Sequence, residues 1–127
     1  MRVGFLKQDS AEDLAEYVGN KLCAEVEYCD GGKKIETVAL CGGAGGSLVD
    51  EVIEAGIDAY ITGEVSYHHF LSAADNGLTI IAAGHFETEN PIVQVLADQI
   101  RRRFEDLEVS VLEQDLPVDV YLPDLLR

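Results

Sequence analysis

The sequence predicts an α/β fold in which a mixed, mostly parallel sheet lies between helices, a three-layer α/β/α arrangement. Three observations carry this prediction. From Ile35 onward, apolar runs of strand length alternate with segments of helical periodicity. The breaks between them hold serine, glycine and proline at positions that start or stop helices. At 127 residues the chain suits one hydrophobic core and not comfortably two, and no linker, repeat or low-complexity stretch divides it, so one α/β domain over 1–127 is expected.

Each element has its own signal. Ser10 with Asp13 forms the start of a capping box, and Leu14, Ala15, Val18 and Leu22 follow at helical spacing, which predicts a helix over about Ala11 to Leu22. Ala24 to Cys29 alternates polar and apolar, Asp30-Gly31-Gly32-Lys33 reads as a turn, and Ile35 to Cys41 is strand-like, so these predict a β-hairpin. A glycine loop over Gly42 to Gly46 leads to Ser47, read as the cap of a helix to about Ala55 that Gly56 stops. Ile57 to Ile61 is a short strand, Val65 to Asn76 a helix closed by Gly77, and Leu78 to Ala83 a further strand. Pro91 suits the first turn of a long helix to about Asp106, and the alternation of Leu107 to Leu112 predicts a final edge strand.

In a sheet of this kind ligands collect at the carboxyl ends of the strands. Three segments leave strands at that edge and are expected to face one cleft: Gly42 to Ser47, Thr62 to Tyr67, and Gly84 to Glu89. The last carries His85 and Glu89, four positions apart, which share one face if the segment turns or is helical. Imidazole and carboxylate together suit zinc, iron, manganese or nickel, but a tight site needs three or four protein ligands. The alternative is a histidine that hydrogen-bonds at a strand end with Glu89 beside the next helix. The glycine loop lacks the lysine of a P-loop and the third glycine of a dinucleotide fingerprint, which argues against ATP or NAD; it is either a phosphate seat or a packing turn. In the pair His68-His69, adjacent helical positions diverge, and His68 is the one expected to reach the cleft, where it could act as acid or base.

Composition removes several classes of function. The 24 Asp and Glu against 9 Lys and Arg give a formal net charge of -15, a poor surface for nucleic acid, and Arg101-Arg102-Arg103 lies in an otherwise acidic helical stretch. No apolar run approaches the ~20 residues that cross a bilayer, and the amino terminus lacks the apolar core of a signal peptide, so no membrane partner and a cytoplasmic location are expected. Cys23, Cys29 and Cys41 have no C-x-x-C spacing and sit in apolar contexts, which predicts buried free thiols. The acidic excess points to a halophilic source.

Three segments taken together, Val38 to Ser47, Ala59 to His68 and Ala83 to Glu89, resemble in order and spacing the NGG-interacting-factor-three-like family, the GTP cyclohydrolase 1 type 2 homologues. The resemblance covers essentially the whole chain, and the G-H-x-x-T-E pattern at Gly84 to Glu89 is specific to the family. It implies a dinuclear metal centre of divalent ions, ring-shaped homo-oligomers and a metal-dependent hydrolase of uncertain reaction. It places metal ligands at His85 and Glu89 and matches Thr62-Gly63-Glu64 and His68, with Glu64 and His68 as orienting or acid-base groups. The family's amino-terminal half, with a histidine pair followed by proline and an aspartate ligand, has no counterpart here. The expectation is therefore a carboxyl-terminal half whose metal site is incomplete alone and is completed by a separate amino-terminal half or another copy. The contrasting expectation is a non-catalytic, metal-binding assembly or regulatory module.

The charge excess makes a testable statement. Screening of self-repulsion by salt should raise the thermal midpoint as KCl goes from low to molar concentration. Melts followed by circular dichroism check this, and a flat or falling midpoint would count against both the screening argument and a halophilic source.

Overall fold

The computed structural model describes residues 1–124, which fall into two compact units, one over Met1–Ile92 and one from Val93 onward. The first unit is a five-stranded mixed sheet with helices on both faces. Its strands are β1 (Arg2–Gln8), β2 (Glu27–Cys29), β3 (Ile35–Ala44), β4 (Ala59–Glu64) and β5 (Thr79–Ala82), in the spatial order β1-β3-β4-β5-β2. The inner strands β3, β4 and β5 are parallel, and both edge strands are antiparallel to their neighbours.

Alternation within the parallel strands sorts the core into two layers. Val38, Ala59, Ile61 and Ile81 point to one face, where they meet Leu14, Ala15 and Val18 of helix α1 (Ala11–Leu22). Ala39, Tyr60 and Ile80 point to the other, against Val49 and Val52 of α2 (Val49–Glu54) and Ala73 of α3 (Tyr67–Asp75). A sheet covered on both faces needs continuous apolar strands, and all of Thr79 to Ala82 is buried. The three-layer α/β/α architecture is thus the one expected from the sequence.

Helix signals placed most boundaries. Ser10 accepts the Asp13 N–H at 3.1 Å and donates to the Asp13 carboxylate at 2.8 Å, and α1 spans the predicted residues. Gly56 and Gly77, after α2 and α3, take positive φ of 68° and 72°, a conformation that suits glycine. Ser47 is not a cap. The chain enters a 3-10 turn over Gly46–Leu48 before α2, and Gly45 holds the cap position without a side-chain bond.

The expected hairpin fails, one strand had not been expected, and the expectation of buried thiols fails in part. The hairpin does not form, because β2 pairs with β5, and β3 with β1 and β4. The segment after β2 runs beneath the sheet: Gly31 N–H donates to Thr79 Oγ1 at 3.0 Å at the foot of β5, and Lys33 pairs with Asp58 at 3.1 Å at the foot of β4. Gly31 is packed so tightly there that a Cβ would lie 2.6 Å from the Gly77 carbonyl oxygen, which commits the turn to crossing rather than reversing. The edge place beside β3 falls to β1, a strand the sequence reading did not assign because Arg2, Gly4, Lys7 and Gln8 break its apolar pattern. Cys23 is exposed rather than buried, since it occupies the left-handed position that ends α1 with φ 52°, while Cys29 and Cys41 are partly buried and all three are free thiols.

Helix α5 (Pro91–Arg103) begins at the predicted proline. The predicted strand over Leu107 to Leu112 is irregular chain. Its Val109 carbonyl is taken by the Arg101 guanidinium at 2.8 Å, so the segment's backbone bonds to a side chain. No helix among the described residues is long and apolar enough to cross a membrane.

Asp58 pins the feet of β3 and β4. Its carboxylate accepts the N–H groups of Glu36 and Thr37 at 3.1 and 3.0 Å and the Thr37 hydroxyl at 2.9 Å. Burial by itself would raise its pKa, but the Thr37 and Glu36 amides, Lys33 and the Thr37 hydroxyl outweigh it and hold the group at about 2. A depressed folded pKa contributes stability that is complete above the unfolded value near ~3.9 and is lost as pH falls towards about 2. Asp58→Ala should cost roughly 1–3 kcal/mol at neutral pH. It should also flatten the stability profile between about pH 4 and 2. Urea unfolding across that range measures both, and a variant with the parent's acid limb would refute the assignment.

Candidate metal centre

The carboxyl ends of β3, β4 and β5 converge as the sequence led one to expect, and the convergence is unusually close. The parallel ladder continues beyond β5, with Ala83 N–H donating to Thr62 O at 3.0 Å and Gly84 N–H to Gly63 O at 2.9 Å. Gly84 then turns with φ 89° into the short helix α4 (His85–Glu89). Gly63 lies in the middle of the junction. A Cβ there would stand 2.7 Å from the Gly43 carbonyl oxygen and 2.8 Å from both the Gly84 carbonyl oxygen and Thr88 Oγ1, so no side chain fits.

α4 puts His85 and Glu89 on one face. His85 Nε2 lies 3.2 Å from Glu89 Oε2, and on its other side Nδ1 lies 2.8 Å from Oε1 of Glu64, the last residue of β4. All three side chains are about half exposed. The ring is held between two carboxylates, and its pKa is raised, first by the Glu64 hydrogen bond and then by the Glu89 charge. Gly43, with φ 72°, faces the same pair: a Cβ on it would run into Glu89 Oε1 and come within 3.2 Å of His85 Nε2. A side chain at residue 43 would therefore fill the space beside Nε2 and the Glu89 carboxylate.

This donor set fits part of a metal site. Nε2 and the Glu89 carboxylate are a nitrogen and oxygen pair suited to a borderline divalent ion. Glu64 on Nδ1 supplies the outer carboxylate that fixes tautomer and ring direction in many histidine metal sites. No group of three or more His, Cys, Asp or Glu side chains among the described residues is placed to hold an ion.

The other expected residue is elsewhere. His68 is exposed on the first turn of α3, with Nδ1 2.9 Å from Ser66 Oγ and its ring 4.1 Å from that of His69. It is His69 that meets the glycine loop. Its Nδ1 accepts the Ser66 N–H at 3.2 Å in a capping box, and its Cε1 would be 2.6 Å from a Cβ on Gly46. The S-x-x-H spacing at Ser66 to His69 carries that role, with imidazole standing where glutamate is usual. The glycine loop serves packing. Gly43 N–H donates to Thr88 Oγ1 at 3.0 Å, Gly43 O accepts from buried Thr62 at 3.1 Å, and Gly45 O accepts from buried Tyr60 at 2.9 Å.

Residues 1–117 match the family described as Duf34/NIF3 (NGG1p interacting factor 3). The chain belongs to this family. Similar curated members include a GTP cyclohydrolase 1 type 2 homolog of Pseudomonas aeruginosa, 44% identical over 92 residues, which are 72% of this chain and 36% of that protein. A protein of the same name from Escherichia coli K12 is 34% identical over 103 residues, 80% of this chain and 41% of that one. Among solved structures, the protein ybgI, described as of unknown function, superimposes with a TM-score of 0.81 at 32% identity over 91% of this chain and 48% of its own. A Bacillus cereus protein related to NIF3 gives 0.68 at 25% identity over 93% and 35%. The chain thus spans less than half the length of these family members.

Glu64→Gln removes the main cause of the raised His85 pKa while keeping the side chain's shape. Titration of the His85 ring protons by NMR should show its midpoint moving down, and any stability from charged His85 should then be lost at lower pH as pH rises. An unmoved midpoint would show that the Glu64 contact is not made in solution.

Proposed function

We propose that this chain supplies the carboxyl-terminal part of a divalent-metal site in a metal-dependent hydrolase of the GTP cyclohydrolase-like kind. The observation behind this reading is the open space that Gly43 leaves beside His85 Nε2 and the Glu89 carboxylate, with Glu64 engaging Nδ1. His85 and Glu89 are the ligands, and Glu64 orients His85. A bound divalent ion would supply Lewis acidity for activating water and polarising a substrate. His68, exposed on the first turn of α3 and hydrogen-bonded to Ser66, makes no contact with this pair, and its acid-base role is the least supported part of the reading.

Two ligands leave the coordination sphere unfinished. The remainder, and the second ion of a dinuclear centre, come from outside this chain, from an amino-terminal half or a neighbouring copy in a homo-oligomer. The names of the related proteins support a small-molecule substrate, and the charge of -15 sets nucleic acid aside. Three free thiols agree with the reducing cytoplasm. The half-exposed pair also supports a second reading, a metal-binding assembly module without catalysis, and an exchangeable coordination position separates the two.

Calorimetric titration with zinc or manganese tests the reading. The 127-residue chain alone should bind weakly, and addition of the amino-terminal half of a related protein should tighten binding sharply. His85→Ala or Glu89→Ala should abolish the gain, and Glu64→Gln should weaken it by about 10–100-fold. Tight binding by the isolated chain that survives both ligand substitutions would show that the ligands are other residues.

A further inference from the structure

We infer that Thr88 is a positioning residue of the ion seat, its hydroxyl locking the ligand helix α4 to the glycine loop so that His85 and Glu89 face the space beside Gly43. The inference rests on the metal reading above and extends it to residues that touch no ion. Thr88 lies between the two ligands in sequence but turns away from them. Its Oγ1 donates to Gly84 O at 2.8 Å, with His85 O at 3.2 Å, and accepts the Gly43 N–H at 3.0 Å. One hydroxyl proton and one lone pair are thereby committed, one to each side of the junction.

The consequence falls on Gly43. Its N–H is held by Thr88 and its carbonyl by Thr62 Oγ1 at 3.1 Å, so one peptide segment is gripped at both polar groups by two threonines. Thr62 is fully buried and fixed within β4, so it ties Gly43 to the sheet. Thr88 then ties α4 to Gly43. The chain of contacts from sheet to ligand helix is Thr62, Gly43, Thr88, and the hydroxyl of Thr88 is its last link. Without that hydroxyl the Gly43 N–H loses its Thr88 partner and the Gly84 carbonyl keeps the Thr88 N–H, so the side-chain tie between α4 and Gly43 is lost while the Gly84–Gly63 and His85–Glu64 hydrogen bonds remain. His85 and Glu89 both ride on α4, so a shift of a few tenths of an ångström there changes the room for an ion between the pair and Gly43, and metal–ligand distances tolerate only about 0.2 Å.

Cobalt(II) is a suitable probe for the full chain, since paramagnetic shifts of the His85 ring protons report weak binding at that residue. Thr88→Val, which keeps the shape and deletes the hydroxyl, should weaken cobalt affinity by about tenfold, and Thr88→Ser should restore it. Thr62→Val, acting on the opposite side of Gly43, should shift the affinity in the same direction and serves if Thr88→Val does not fold. Circular dichroism melts of each variant separate loss of fold from loss of placement. Wild-type affinity in folded Thr88→Val, or failure of serine to rescue, overturns the inference while leaving His85 and Glu89 as ligands. If His85→Ala leaves the cobalt response unchanged, the metal reading itself fails, and the positioning role with it.

Discussion

The close approach of three strand ends at Gly63 is the constraint on which the candidate site depends. Parallel strands set their carboxyl ends side by side, but ordinary side chains would hold the following loops several ångströms apart. Here residues 43, 63 and 84 are all glycine, and the Gly43 and Gly84 carbonyls and the Thr88 hydroxyl crowd where a Gly63 side chain would be. That crowding brings β3's loop, β4's last residue and α4 within hydrogen-bond reach of one another. The Glu64–His85–Glu89 row follows from it, since each of its members is the first or last residue of an element that ends at the junction.

Electrostatics at that row sets a competition. His85 lies between two carboxylates in a chain of net charge -15, which favours a proton on the ring. A metal ion needs the same nitrogen unprotonated, and gains from the same two carboxylates. The arrangement therefore sets a proton and a divalent cation in competition for the same ring.

Much of this was legible in the sequence because local signals and tertiary packing agree. α1 was placed to the residue by Ser10, Asp13 and the spacing of Leu14 and Val18, and the parallel strands by their unbroken apolar runs. His85 and Glu89 were visible through spacing and family resemblance together. The hairpin was misread because pairing partners are not local: the signal at Asp30 to Lys33 marks a turn, but the packing of Gly31 against Gly77 sends it under the sheet. Strand β1 was hidden by its edge position, where polar residues and exposed Val3 and Phe5 blur the alternation. The threonine links were invisible because a hydroxyl's partners lie far away in sequence, as Thr88 and Gly43 do, and the choice between His68 and His69 depended on a capping geometry that spacing alone does not distinguish.

The crossing of the chain beneath the sheet also bears on self-association. β5 is an entirely buried strand, rich in isoleucine, and without a neighbour on its outer side it would present the bare, apolar edge that templates intermolecular pairing. β2 covers it with only three residues, Glu27 to Cys29, and they arrive from a part of the chain about fifty positions earlier. Until that distant pairing is made, the outer edge of β5 has no cover. Glu27, which pairs across from Ala82, puts a charge on that strip, and the acidic excess of the chain makes like copies repel.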